Sequence, residues 1–433
     1  MSRERTPSRP VLVTAPSMGY GHQRAARSVA EALGVVPLQS DEPPLASPGD
    51  RKTWNRIRVF YERASRLSTR RGIGAPATAF LEWITAIARL HPERDLSAPT
   101  RSAHTMERLA AQGFGRDMVK VLEADDAALV STFYAEAITA DRSGRDHVYC
   151  VVTDSDVNRV WAPMRGDRSR VHYFAPTRRV VRRLRAYGVR AENVTFTGFP
   201  LPPSLVGNGD EGPLLRNLSA RLARLDPNGH LRDRLQAKAR GHLLPAPREA
   251  EARPPLIVFA IGGAGAQTDL ARDLLRGLRD VVAADRLRLV LVAGTRREVA
   301  VRMRAFADDV GLADRVPILV ERDFDSYYRA FNELLAEADV LWTKPGELVF
   351  YAGLGLPLVL SPPVGVQERA NTRWLLDRGA AVAQRDPRHA GSWLLELIED
   401  GVLAGAAFSG HLRLPYDGSR KIADRVRADG AGA

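Results

Sequence analysis

A histidine follows a glycine-rich turn near the start of the sequence. The segment SMGYGHQRAA (17–26) comes directly after an apolar, strand-like run, and Gly19 and Gly21 allow the backbone to pass close to a ligand. His22 falls in the first turn of a helix predicted over 22–34, where the positive helix end favours a neutral imidazole that can accept a proton. The segment predicts a general base, and the alternative is a tight strand–helix turn with a capping histidine.

A second glycine-rich turn lies in the other half of the sequence. The segment IGGAGAQTD (261–269) places Gly262, Gly263 and Gly265 between a predicted strand and a predicted helix. Backbone N–H groups at such a helix N-terminus bind phosphate. The segment matches neither G-x-G-x-x-G nor a Walker loop, so its weight as a phosphate site comes from its pairing with the first glycine turn.

A third candidate is the polar turn that ends a later predicted strand. Lys344 closes the strand, Pro345 and Gly346 form the turn, and Glu347 opens a short helix. The carboxyl ends of parallel strands carry the ligand-binding loops of α/β sheets, so we expect these four residues to line a binding site.

Amide and carboxylate side chains follow the loop SPPVG at the start of another predicted helix. Gln367 and Asn371 are four residues apart and share one helix face, and Glu368 is three residues before Asn371. Such groups suit sugar hydroxyls, because each hydroxyl both donates and accepts a hydrogen bond. The alternative is a capped helix with a solvated polar face.

Two aspartates follow a predicted strand in the segment VVTDSDVNRVWAP (151–163). The D-x-D pattern of Asp154 and Asp156 would allow a divalent cation to bind beside a diphosphate. The pattern is short and recurs at 323–325, so we expect no metal and interpret the carboxylate as a base or as the group that orients His22. Asp154 is the catalytic candidate.

The segment RKTWNRIRVFYERASRLSTRR (51–71) carries eight basic residues and a single acid, Glu62. A helix over this range would present an apolar stripe formed by Trp54, Ile57, Tyr61, Ala64 and Leu67. This pattern is typical of a helix that lies on anionic lipid. The alternative is a surface helix whose stripe packs on the sheet.

The composition is that of a globular protein with anionic partners. The chain has 433 residues, 45% of them hydrophobic, which makes two domains the expectation and excludes wholesale disorder. Lys and Arg number 63 against 51 Asp and Glu, and the net charge of +12 favours nucleotide phosphates, an anionic membrane surface or nucleic acid. The sequence contains no zinc-finger spacing and no RNA-binding signature, so we expect no nucleic acid.

Location and redox chemistry are constrained by what the sequence does not contain. No apolar run is long enough to span a bilayer, and the N-terminus lacks the apolar core of a signal peptide. Cys150 is the one cysteine, which excludes an internal disulfide and a cysteine-based zinc site. We therefore expect a cytoplasmic protein.

Short apolar runs alternate with helical patterns in both halves of the chain, which predicts α/β domains with parallel sheets. Strands are predicted at 10–16, 128–132, 147–154, 171–176, 193–200, 287–294, 316–321, 338–344 and 356–363, and the segment 255–267 is predicted to be a strand that enters the glycine-rich turn. The predicted domains are an N-terminal one over 1–205, a linker or insertion over 206–254, a C-terminal one over 255–405 and a helical tail over 406–433. A ligand cleft is expected between the two domains.

Four of these segments together resemble a known family. GYGHQRAA, VVTDSDVNRVWAP, YFAPTRRVVRRLRAYGVRAENVTFTGFPL and ADVLWTKPGELVFYAGLGLPLVLSPPVGVQERANTRWLLDRGAA occur in the order found in the monogalactosyldiacylglycerol synthase, processive diglucosyldiacylglycerol synthase and MurG-type glycosyltransferases. The resemblance extends from about residue 10 to 382. It implies a GT-B fold, in which two Rossmann-like domains face a cleft.

The resemblance also implies an activity, namely inverting, metal-independent transfer of a sugar from a nucleotide donor, commonly UDP-linked, to a lipid or lipid-linked hydroxyl. No cofactor is implied, since the nucleotide sugar is a co-substrate. By position, His22 would be the base or would orient it, and Gly262, Gly263 and Gly265 would approach the diphosphate. The residues implied to line the nucleotide loop and to face the sugar are Lys344, Pro345, Gly346, Gln367, Glu368 and Asn371.

The sequence departs from the family at several positions. The family has a ribose-binding Glu eight residues after the Lys, where this chain has Ala352, and Glu347 is a candidate replacement. Asn158 stands where the family has a His, and Tyr20 where it has a Gly. Two alternatives therefore stay open: a nucleotide-sugar epimerase or hydrolase, and a non-catalytic protein of the same fold that binds a nucleotide or lipid.

Overall fold

The computed structural model describes residues 9–68, 86–207, 209–239, 253–260 and 268–431, with side chains except at 60–68, 235–239, 268 and 431. The chain divides into two compact units. The first consists of the chain up to Pro203 with Val364–Ala370 and the segment from Asp417, and the second consists of Ser204–Pro363 and Asn371–Tyr416. The domain limits predicted from the sequence stay a prediction.

Each unit contains a parallel sheet. In the described residues the strands are β1 Val11–Ala15, β2 Leu38–Gln39, β3 Ala128–Ser131, β4 Val148–Val151, β5 His172–Ala175, β6 Val194–Phe196, β7 Leu256–Ala260, β8 Arg288–Gly294, β9 Ile318–Val320, β10 Val340–Thr343, β11 Leu358–Leu360 and β12 Ala381–Ala383. Every strand predicted from the sequence is present. β2 and β12 were not predicted, and the two residues of β2 are too few to give a pattern.

The helices cover the sheets. They are α1 Tyr20–Leu33, α2 Pro48–Ser68, α3 Arg101–Ala111, α4 Arg116–Ala124, α5 Tyr134–Arg142, α6 Arg178–Ala186, α7 Pro203–Val206, α8 Gly212–Leu225, α9 His230–Ala239, α10 Thr268–Ala283, α11 Arg297–Asp309, α12 Phe324–Glu337, α13 Val366–Leu376, α14 Ala390–Glu399, α15 Val402–Arg413 and α16 Gly418–Ala431, with a 3-10 helix at Glu347–Leu354. In the described parts of the chain, none of the helices is long and apolar enough to cross a membrane.

The strand orders are those of nucleotide-binding folds. The first sheet has the order β2-β1-β3-β4-β5-β6, and the second has β9-β8-β7-β10-β11-β12, with parallel pairing throughout. Strands such as β4 and β7 are buried along their whole length, as expected where helices cover both faces of a sheet. The structure confirms the predicted α/β class with two parallel sheets.

The last helix belongs to the core of the first unit. Ile422 and Val426 of α16 are buried against β1 and α1, in a cluster that includes Val13 and Val29. Helix α1 itself ends at Gly34, whose left-handed φ of 77° suits a residue without a side chain. Residues far apart in the sequence thus hold β1 and α1 in place.

A buried arginine attaches α8 to the second unit. Arg221 is buried, and its guanidinium donates to the carbonyl oxygens of Ala338, Leu354 and Gly355 at 2.8, 3.1 and 2.9 Å. Burial lowers the pKa of Arg221 to about 10, although nearby Asp339 opposes that shift. The arginine satisfies carbonyl groups at the end of α12 and of the 3-10 helix, which would otherwise be buried without a donor.

Asp339 is the acidic centre of the same region. Its carboxylate accepts hydrogen bonds from Arg224 at 2.8 Å, from Arg253 at 2.8 Å and from the backbone N–H of Leu256 at 2.8 Å. Such full pairing is what a buried carboxylate requires. The network fixes α8 to the starts of β7 and β10.

A buried histidine gives the first unit a dependence on pH. Burial and Arg425 lower the pKa of His172 to about 4, with Asp429 opposing, while His172 Nε2 lies 2.8 Å from Thr195 Oγ1. The unfolded chain binds a proton at His172 near pH 6.5, whereas the folded chain stays neutral there to about pH 4. The stabilisation is complete above pH 6.5 and is lost as the pH falls towards 4.

We predict that His172→Gln reduces the loss of stability on acidification. Between pH 7 and pH 4 the wild type should lose on the order of 2–3 kcal/mol of unfolding free energy more than the variant. Urea unfolding at several pH values measures this difference. The exposed His230→Gln serves as the control and should behave as wild type, and parallel curves for wild type and His172→Gln would contradict the prediction.

Candidate active site

The first sheet reverses its strand order between β1 and β3. In open parallel sheets, ligands bind at the carboxyl ends of the strands beside this reversal. Here β1 is followed by the first glycine turn and His22, β3 by Thr132 and Phe133, and β4 by Thr153. The segments 17–26 and 151–163, predicted separately from the sequence, therefore meet at one edge of the sheet.

An aspartate braces the glycine turn. Asp41 accepts a hydrogen bond from Ser17 N–H at 3.0 Å, and its other oxygen accepts from the Ser17 hydroxyl. Gly19 follows with φ 82° and ψ 162° and starts α1, with open space where a side chain would lie. A side chain there would be strained by the positive φ, so the glycine is required by the backbone.

A main-chain carbonyl orients His22. The Nδ1 atom of His22 lies 2.7 Å from the carbonyl oxygen of Thr132, and Thr153 Oγ1 is 3.5 Å from the same nitrogen. A carbonyl can only accept, so Nδ1 carries the proton of the neutral ring. The lone pair of the ring is then on Nε2, which is the form of histidine that accepts a proton from a substrate.

Two aromatic rings hold the imidazole from the sides. Phe133 meets His22 edge-on with ring centroids 5.1 Å apart, and Trp161 stacks on it at 6.5 Å. Phe133 and Trp161 also contact each other, at 6.2 Å. These packed neighbours restrict rotation of a ring that a substrate would have to meet in one orientation.

The two aspartates of the D-x-D pattern have different environments. Asp154 is partly exposed and follows Thr153 directly. Asp156 is buried, and its two oxygens accept from Arg183 at 2.8 and 2.9 Å and from Arg179 at 2.6 Å. Asp156 is therefore a structural anchor for α6, with both oxygens already used. Within the described residues, no group of three His, Cys, Asp or Glu could hold a metal ion.

The second sheet reverses its strand order between β7 and β10. The turn at Lys344–Glu347 follows β10 and lies at this reversal, where the same rule places a ligand. Gly262, Gly263 and Gly265 follow β7 in the sequence and lie outside the described residues. Lys344, Glu347 and Gln367 are each partly exposed.

Asn371 is used within the protein. It is fully buried, and its amide donates to the carbonyl oxygen of Pro345 at 3.1 Å, with that of Gly346 at 3.5 Å. Asn371 thereby joins two predicted motif segments, because it fixes the turn after β10 from α13. Glu368 accepts from the backbone N–H of Val364 at 2.8 Å and so closes the loop before α13.

The position of the family's ribose-binding Glu is part of the core. Ala352 is fully buried in the 3-10 helix, and its carbonyl oxygen lies so close to Gly410 that a Cβ atom at Gly410 would collide with it. Leu354 at the end of the same helix is also buried. A longer side chain at position 352 would have to displace these packed neighbours. The surrounding structure therefore fits an alanine here and not the glutamate of the family.

The basic segment forms α2, and its first aromatic residue faces inward. Trp54 is 3% exposed and packs on Phe114 and Phe133 at centroid distances of 5.3 and 5.7 Å. This is what the alternative interpretation of the stripe predicts. Ile57 is partly buried, and the side chains of Tyr61, Ala64 and Leu67 lie outside the described ones.

A charged cavity separates α2 from the glycine turn. It has a volume of about 520 Å³. Its polar lining includes Ser17, Asp41 and Glu42, and four residues of α2: Arg51, Lys52, Asn55 and Arg58. Arg51 pairs with Glu42 at 3.0 Å. The cavity offers both signs of charge to a polar group bound next to the turn.

Sequence reasoning missed three residues that shape this site. Thr132 acts through its carbonyl, which no side-chain pattern reveals. Asp41 follows the two-residue strand β2, and Glu136 lies on the buried face of α5. Of these three residues, only Glu136 could have been noticed in the sequence, because it is a charged residue in an otherwise apolar helix start.

Comparison with known proteins confirms the resemblance. No protein-family model matches the chain. Over 54% of its length it is 24% identical to the processive diacylglycerol beta-glucosyltransferase of Bacillus subtilis (strain 168), and over 58% it is 24% identical to that of Bacillus cereus (strain 03BB102). These alignments cover 49% and 54% of the two proteins, so the chain spans about half the length of the curated relatives it matches.

A solved structure shares the fold over nearly the whole chain. The putative UDP-N-acetylglucosamine 2-epimerase from Listeria monocytogenes superimposes with a TM-score of 0.50 and 13% identity, covering 96% of this chain and 95% of that one. Together with the two parallel sheets, this confirms the predicted GT-B fold class of two Rossmann-like halves.

We predict that Asp156→Ala destabilises the protein by about 3–5 kcal/mol, because it leaves the buried Arg183 without its carboxylate partner. Urea unfolding in the presence and absence of EDTA measures the effect. The exposed Asp167→Ala is the matched control and should change stability by less than about 0.5 kcal/mol. A loss of stability on adding EDTA to the wild type, equal to that of the substitution, would instead indicate a metal ligand.

Proposed function

We propose that the chain is a glycosyltransferase. It moves a sugar from a nucleotide-sugar donor, UDP-linked by our proposal, to the hydroxyl of a lipid or lipid-linked acceptor, with inversion and without a metal ion. The names of the two Bacillus relatives support the reaction and the lipid acceptor. The name of the Listeria protein supports a UDP-sugar as the ligand of this fold.

The observation that carries the proposal is the hydrogen bond between His22 Nδ1 and the Thr132 carbonyl. In the neutral ring this bond leaves the lone pair on Nε2, beside the carboxyl ends of β1 and β3. In the proposed step the acceptor hydroxyl gives its proton to Nε2 while its oxygen attacks the anomeric carbon. The bond from that carbon to the diphosphate oxygen breaks, and the nucleoside diphosphate leaves with the bonding electrons.

The donor is proposed to bind at the strand reversal of the second sheet. Backbone N–H groups at the N-terminus of α10, with Gly262, Gly263 and Gly265, would stabilise the diphosphate in place of a metal. Lys344 adds a positive charge after β10. By their positions in the motif, Pro345, Gly346, Gln367 and Glu368 line the nucleotide and sugar, and Asn371 supports them through Pro345.

The proposed contact to the ribose is the part of the donor site that differs from the family's pattern. Ala352 cannot bind a hydroxyl, so Glu347 at the partly exposed start of the 3-10 helix is proposed for that role. Gly19 and Gly21 are proposed to give the acceptor access to His22, with Asp154 as a second catalytic residue. The charged cavity beside Ser17 would receive the polar end of the acceptor.

A second candidate is a nucleotide-sugar epimerase or hydrolase, which the name of the Listeria protein favours. Such an enzyme would release an epimer or free sugar without any lipid. A protein of this fold that only binds a nucleotide or lipid would give a thermal shift with UDP, GDP, TDP or CDP sugars and no turnover, because a ligand of the folded state raises the melting temperature.

The protein is further proposed to be cytoplasmic and to bind anionic membranes through the cationic side of α2. Arg51, Lys52, Arg56 and Arg58 are exposed there. Since Trp54 is in the core, the attraction is electrostatic rather than an insertion of the apolar stripe. A basic side chain near an anionic surface contributes about 1 kcal/mol.

We predict that His22→Ala lowers kcat for sugar transfer at least about 100-fold, the usual contribution of a positioned base. Binding of UDP, measured by calorimetry, should be retained, because the proposed diphosphate site at β7, α10 and Lys344 belongs to the second unit and does not include His22. The exposed His104→Ala is the matched control. Near-wild-type turnover of His22→Ala would remove His22 from the mechanism.

We predict that the double variant Lys52→Glu/Arg56→Glu binds phosphatidylglycerol vesicles at least about tenfold more weakly than the wild type. Co-sedimentation at several salt concentrations measures the binding, and phosphatidylcholine vesicles should bind neither protein. The variant Arg276→Glu/Arg279→Glu makes the same charge change on α10 and should bind as wild type. Equal loss in both double variants would refute a specific role for α2.

A further inference from the structure

A buried glutamate stands in the first turn of α5, close to the residues that orient His22. Glu136 is 3% exposed. Its Oε2 atom lies 3.0 Å from the hydroxyl oxygen of Ser131, the last residue of β3. The same hydroxyl oxygen lies 2.7 Å from the carbonyl oxygen of Phe133 and accepts a hydrogen bond from the Phe133 N–H at 3.0 Å.

Counting protons determines the form of Glu136 that fits this geometry. The Ser131 hydroxyl has one proton, but it lies within hydrogen-bond distance of two oxygens. If the carboxyl group is protonated, Glu136 donates to Ser131 and Ser131 donates to the Phe133 carbonyl, so both contacts are hydrogen bonds. If Glu136 is ionised, Ser131 can donate its one proton to only one of the two oxygens. The other contact then brings two oxygen atoms together with no proton between them.

The turn held by Ser131 is the one that holds His22. Thr132 lies between Ser131 and Phe133, and its carbonyl oxygen accepts a hydrogen bond from His22 Nδ1. The Phe133 ring packs edge-on against the imidazole. A shift of this turn therefore changes both the hydrogen bond and the packing that orient His22.

We propose that Glu136 is a positioning residue for His22, and that its protonated carboxyl group holds the Ser131–Phe133 turn in the arrangement that keeps the imidazole proton on Nδ1 and the lone pair on Nε2. The role of Glu136 in catalysis rests on the proposed function. Its effect on the orientation and tautomer of His22 does not.

The surroundings favour the protonated form near neutrality. Burial raises the pKa of Glu136 to about 7, and Asp41 adds to this, while the Ser40 hydroxyl, the backbone N–H of Glu136 and the Ser131 hydroxyl oppose it. On β4, burial and Glu136 raise the pKa of the Cys150 thiol, so Cys150 stays uncharged. The protonated form predominates below about pH 7 and is lost as the pH rises through it.

The test uses nitrogen NMR of the full chain with labelled histidine, without any ligand. The His22 signals are assigned with His22→Gln. In the wild type the Nδ1–H tautomer should be populated at pH 7 and decrease by pH 9. In Glu136→Gln the amide N–H replaces the acid proton and cannot ionise, so the Nδ1–H tautomer should persist to pH 9. In Ser131→Ala it should be reduced at every pH.

The control is Glu123→Gln, an exposed residue of α4, which should titrate as wild type. Tautomer populations that coincide in wild type and Glu136→Gln from pH 6 to 9 overturn the inference. In a transfer assay, the pH profile of kcat should be bell-shaped in wild type and lose its alkaline limb in Glu136→Gln. If no variant transfers sugar, the proposed function fails, and the NMR result still decides the role of Glu136.

Discussion

The hydrogen bond from His22 Nδ1 to the Thr132 carbonyl is the constraint on which the candidate site depends. A neutral imidazole has one proton, and where that proton is placed decides which nitrogen can act as a base. The bond depends on where α1 begins, directly after Gly19, and on where β3 ends, at Ser131, so it links the position of a helix to that of a strand. The rings of Phe133 and Trp161 then remove the remaining freedom of the side chain.

In the second unit, a buried arginine and a buried aspartate satisfy the backbone groups at the ends of several elements. Helix ends and strand starts expose carbonyl and N–H groups that must be satisfied when they are buried. Arg221 and Asp339 do this for several elements at once, which ties α8 to the sheet. The turn at Lys344 is fixed in a similar way by the amide of Asn371. A rigid turn at a strand reversal is the arrangement in which backbone groups can be aimed at a ligand.

The sequence was sufficient for the architecture, because each buried parallel strand is an apolar run that ends in a turn signal. It also identified the segments that meet near His22, since those segments follow neighbouring strands. It could not identify Thr132 or Ser131, whose roles depend on main-chain geometry, nor Asp41, which follows a strand too short to recognise. Asn371 was predicted to face a sugar because an amide can bind a hydroxyl or a carbonyl equally well, and only the packing of α13 reveals its contact with Pro345.

The position of α16 in the first unit has a consequence for biogenesis. The strands β1 and β3 and the helix α1 are translated before the second unit. The apolar surface that Ile422 and Val426 cover therefore stays exposed until the whole of the second unit has been translated. During that interval a nascent chain carries an uncovered apolar patch on the helix that also carries its candidate catalytic histidine. Chaperone binding to incomplete chains is therefore expected to concentrate on α1, and the first unit can be completed only after the second unit has been translated.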